Sequence, residues 1–84
     1  MTLRKSFSHE QLIRILDQAL IYQCTCPAQV CRTLIGLNEL YDYQLTCLNR
    51  TETDRAVHAA IAASVARTHA EMESCLDTIL TLEG

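Results

Sequence analysis

Apolar residues recur along most of this chain at the three- and four-residue spacing of amphipathic helices, and two short polar breaks divide them into three stretches. The first holds Leu12, Ile13, Ile15, Leu16, Ala19, Leu20 and Ile21. Ser8 stands just ahead of it with Gln11 three residues on, the signature of a capping box, so the pattern predicts a helix over about 9–24. That helix is apolar round most of its circumference.

Pro27 marks the next start, because proline suits the first helical turn and disfavours helical geometry in the residue before it; Cys26 is therefore the expected N-cap. The second helix, about 27–49, carries Val30, Leu34, Leu37, Tyr41, Leu45 and Leu48 on one face. Thr51 with Asp54 signals a third start, helped by acidic residues in the first turn, and no Gly or Pro interrupts the pattern from about 52 to 82. Its apolar positions, Val57, Ile61, Val65, Thr68, Met72, Leu76 and Ile79, step by 4, 4, 3, 4, 4 and 3. An eleven-residue period of this kind keeps a seam nearly straight. Gly36, opposite the alanine-rich stretch around position 66, is expected to let two helix backbones approach closely.

Short connections make consecutive helices antiparallel neighbours. The expected fold is thus all-α: a single domain over residues 1–84, arranged as an up-down-up three-helix bundle. The first helix has more apolar surface than a bundle can cover, which points to dimerisation through helix 1, with Ile13, Leu20 and Ile21 in the interface and Glu39 and Asp42 as rim charges.

Composition narrows the functional classes. Seven basic side chains against ten acidic give a net charge of −3, and the basic ones are scattered, so no stripe exists to displace counterions from a nucleic acid. One lysine and no basic amphipathic face argue against an anionic membrane surface, and no apolar run reaches the length of a span. The apolar stretch after Arg4 and Lys5 is broken at helical spacing by Arg14, Asp17 and Gln18, so it reads as a native helix rather than a leader. An 84-residue chain buries only roughly 60% of its unfolded surface, so a disulfide, metal or second subunit is expected to add stability.

Cysteine is the chief candidate chemistry. Five are present, an odd number that fits a reducing cytoplasm better than a secreted disulfide framework. Cys24, Cys26 and Cys31 crowd around Pro27, and in an up-down-up bundle Cys75 falls at the same end. Four thiolates there form the ligand set of a zinc ion or an iron–sulfur cluster; two form a redox pair. The spacing matches no standard zinc ribbon, and buried cysteine commonly packs as a small hydrophobe. Cys47, His58 and His9 are a second, less constrained metal set, whereas His58 and His69 stand about 16 Å apart along one helix, too far to share an ion. His69 and Glu73 form an i,i+4 pair.

No phosphate-cradling loop, H-E-x-x-H motif or nucleophile elbow occurs, so no enzyme activity is expected. Two functions follow from these residues. One is a small acidic, cytoplasmic interaction protein without a cofactor, acting on a protein partner as adaptor, inhibitor or scaffold. The alternative is metal binding or redox sensing through Cys24, Cys26, Cys31 and Cys75.

Overall fold

The computed structural model describes residues 3–19 and 26–83. Three helices make up nearly all of it: α1 (His9–Ala19), α2 (Cys26–Thr46) and α3 (Glu52–Glu83), with no strand among the described residues. No described helix is long and apolar enough to cross a membrane.

Each start has a local cause. At α1 the capping box forms in full: the Gln11 amide donates to Ser8 Oγ at 3.1 Å, and the Ser8 amide donates to Gln11 Oε1 at 2.8 Å. Two of the four orphan amides at a helix start are so satisfied. At α3 the Asp54 amide donates to Thr51 Oγ1 at 3.0 Å, while Asp54 Oδ2 reaches one residue further back, to the Arg50 amide at 3.2 Å. α2 begins at Cys26 itself, so Pro27 is its second residue, still inside the turn where a missing N–H goes unnoticed.

The ends differ more from expectation. The stretch predicted to continue helix 1 to about 24 lies outside the described residues. α2 stops at Thr46, short of the expected 49: Thr46 Oγ1 folds back to the Asp42 and Tyr43 carbonyls, each at 3.2 Å, and the Cys47 amide closes the last turn on Tyr43 O at 2.9 Å. These bonds lie at the last turn, where the ladder of helical amides runs out.

α2 packs on α3 and α1 packs on α2. Leu12, Cys31, Leu34 and Leu76 form the buried centre, with Phe7, Ile15, Leu16, Met72 and Ile79 around it. The molecule is 48 Å long, the length of α3 at about 1.5 Å per residue, whereas the 11 residues of α1 span only about 16 Å. Over the remaining length no other described helix flanks α2 and α3.

That shortfall explains the main departures in packing. Leu45 and Leu48, expected in the core, are 56% and 69% exposed, because no third described helix reaches them. The inward positions of α2 are instead Cys31, Leu34, Asn38, Tyr41 and Gln44. On α3 the buried positions are Val65, His69, Glu73 and Leu76; Val57 and Thr68 of the expected face are exposed. Gly36 is exposed too, and a Cβ built on it meets nothing within 4 Å, so it makes no close approach to α3.

Candidate functional site

The residues expected to carry an interface are spread along the molecule. Ile13 is 39% exposed on α1, while Leu20 and Ile21 fall outside the described residues. Glu39 and Asp42 are exposed on α2, beyond the stretch 30–35 that packs around Leu12.

The cysteines differ in burial. Cys31 is wholly buried beside Leu12, Leu34 and Leu76, and burial pushes its thiol pKa above the ordinary 9.0, because the thiolate would be stranded away from water. Cys26 and Cys75 are exposed, Cys47 is half-buried, and Cys24 lies outside the described residues. Among the described residues no group of three His, Cys, Asp or Glu side chains is placed to hold a metal ion.

Apolar surface gathers elsewhere. Of the seven large hydrophobics exposed among the described residues, five fall between residues 40 and 57: Leu40, Tyr43, Leu45, Leu48 and Val57. Leu37 and Leu40 of α2 and Ala60, Ile61, Ser64, Val65 and Thr68 of α3 wall a shallow groove of about 380 Å³. None of the seven is charged.

Helical geometry gives this groove its reach. Leu37 and Leu40 follow Cys31 and Leu34 by six residues, a rotation of about 120° short of two turns, so they look away from α1. Thr33 shares that side, one turn before Leu37, while the row beside it through Cys31, Leu34, Asn38, Tyr41 and Gln44 faces the core. On α3 the matching row is Val57, Ile61, Ser64 and Thr68, again without charge.

A polar clasp fixes the opposite side. Glu73, 6% exposed, accepts the backbone amides of Ser6 and Phe7 on Oε2 at 2.7 and 2.9 Å. Its Oε1 stands 3.6 Å from Nδ1 of His69, which is 1% exposed. The segment ahead of α1 is thereby tied across α3, next to an open cleft of about 740 Å³ walled in part by Phe7, Tyr41 and Ala70. The i,i+4 spacing of His69 and Glu73 was visible in the sequence, but its inward direction was not, since nothing local marks residues 6 and 7 as its partners. At the far end His58 Nδ1 lies 2.6 Å from Asn49 Oδ1, a contact that ties the 47–51 connection to α3.

No protein-family model, curated protein or solved structure matches the chain.

Proposed function

We propose that this chain is a small, non-catalytic helical interaction protein that offers the uncharged α2–α3 face to a protein partner, acting as an adaptor, inhibitor or scaffold. The groove between Leu40 and Ile61 carries the reading: its walls hold no charge in a chain where one residue in five is charged. A partner can settle on a face without charge and strip no ion of its water.

The arrangement that goes with this reading is an up-down-up bundle whose second and third helices run antiparallel beyond the reach of the first. The short 47–51 connection supports it, as does the pairing of Leu34 with Leu76 at one end and of Leu40 with Ala60 near the other. Dimerisation through α1 has Ile13 alone behind it among the described residues. Metal binding or redox sensing through Cys24, Cys26, Cys31 and Cys75 has less support, because Cys31 packs among leucines and Cys75 lies on the surface. An odd cysteine count favours a cytoplasmic setting.

The test is a photoreactive benzophenone amino acid placed at Leu40 in the producing cell, with the exposed Arg32 as control. A protein adduct heavier than the 9.5 kDa chain is expected from position 40 and not from position 32. Absence of any adduct at position 40 overturns the reading.

A further inference from the structure

We infer that the partner on this face is a second copy of the chain, the two copies meeting through the α2–α3 grooves to complete a four-helix bundle. The inference rests on the interaction reading above and names its occupant.

Three observations support a second copy over an unlike partner. First, among the described residues α1 packs around Leu12, Cys31 and Leu34 and leaves the α2–α3 groove between Leu40 and Ile61 uncovered; two further helices would close it as a four-helix bundle, and a second copy brings its own α2–α3 pair.

Second, the face complements itself. Leu40 and Val57 project from it, 42% and 48% exposed, while the small residues Ala60, Ser64 and Thr68 leave a hollow beside them. A two-fold interface requires projection and hollow on one patch, so that each copy fills the other. Third, two copies of a chain with net charge −3 repel, and an interface between them must keep like charges apart. Leu37 and Leu40 on α2 and the row from Val57 to Thr68 on α3 meet that requirement, since none of them is charged.

Sedimentation equilibrium decides the matter on the intact chain. The wild-type protein is expected at about 19 kDa, twice 9.5 kDa, at micromolar concentration. Leu40→Glu and Thr68→Glu each put an unpaired charge in the contact and are expected to raise the dissociation constant by about a hundredfold or more. Both sites are exposed in the single chain, so helicity by circular dichroism should not change. Ile13→Glu, on α1, should remain a dimer. A wild-type mass of 9.5 kDa at 200 µM overturns the proposal, as does a dimer that survives both groove variants and separates with Ile13→Glu. If a monomeric chain still gives the position-40 adduct, the interaction reading stands and only the second copy falls; if the adduct also fails, both fall.

Discussion

Glu73 holds Phe7 in place across 66 residues of sequence, its Oε2 accepting the Phe7 amide at 2.9 Å and the Ser6 amide at 2.7 Å. The carboxylate is buried, so these two bonds replace most of its hydration and orient the chain just before the α1 capping box. Hydrogen bonds to a charged group each contribute about 1.5–3 kcal/mol. Glu73→Gln keeps one acceptor oxygen and loses the charge; Glu73→Ala leaves two amides without a partner. The expected losses are about 1–2 kcal/mol for Gln and about 3 kcal/mol or more for Ala, measured by urea unfolding. Amide hydrogen exchange at Ser6 and Phe7 should quicken in both variants, with exchange across α3 little changed in Glu73→Gln. Unchanged exchange at those two amides would show that Glu73 does not hold the segment.

The capping boxes make a more local claim. Removing the Ser8 hydroxyl by Ser8→Ala, or the Thr51 hydroxyl by Thr51→Ala, deprives an orphan amide of its acceptor and should cost about 1 kcal/mol each. The two sites share no partner, so the double variant should lose the sum of the two to within about 0.5 kcal/mol. Chemical denaturation of the four proteins of this cycle checks both statements.

Gly36 sits in the interior of α2, exposed, with free space where a Cβ would stand. Glycine there costs about 1 kcal/mol relative to alanine and no packing demand offsets it. Gly36→Ala is therefore expected to raise stability by about 0.5–1 kcal/mol and to leave the association state unchanged. A destabilised Gly36→Ala protein would mean that α2 bends or opens at this point.

These residues also show what a single sequence reveals here. Both caps were legible because the Ser8–Gln11 pair and the Thr51–Asp54 bond each lie within four consecutive residues. Leu12, Leu34 and Leu76 were legible as core positions because each lies on the apolar stripe whichever neighbour completes the bundle. The rotation of α3 was not: choosing His69 over Thr68 as the inward residue turns on Glu73 meeting residues 6 and 7, far away in sequence. Leu45 and Leu48 read as core because helical periodicity says which face is apolar, not whether another helix is long enough to cover it. Leu40 went unnoticed because only one apolar face was read on α2, and the structure leaves it exposed beside Leu37 at the groove.

Cys31 supplies a prediction with a defined sign. Burial raises its thiol above the ordinary 9.0 because the leucines around it cannot solvate a thiolate. Below pH 9.0 the thiol is protonated in both folded and unfolded chains and adds no pH dependence. As the pH rises past 9.0 the unfolded chain loses this proton while the folded chain keeps it, so stability falls until the folded value is reached, at up to about 1.4 kcal/mol per pH unit. Cys31→Ala removes the titrating group, so its urea midpoint should decline less steeply between pH 9 and 10.5 than that of the wild type, whatever its stability at neutral pH. Thiol labelling reads the same burial directly: at pH 8 the exposed Cys75 should react fast, and Cys31 only at the rate at which the core opens. Equal labelling rates at the two positions would place the Cys31 thiol in contact with water and remove the basis for the alkaline loss of stability.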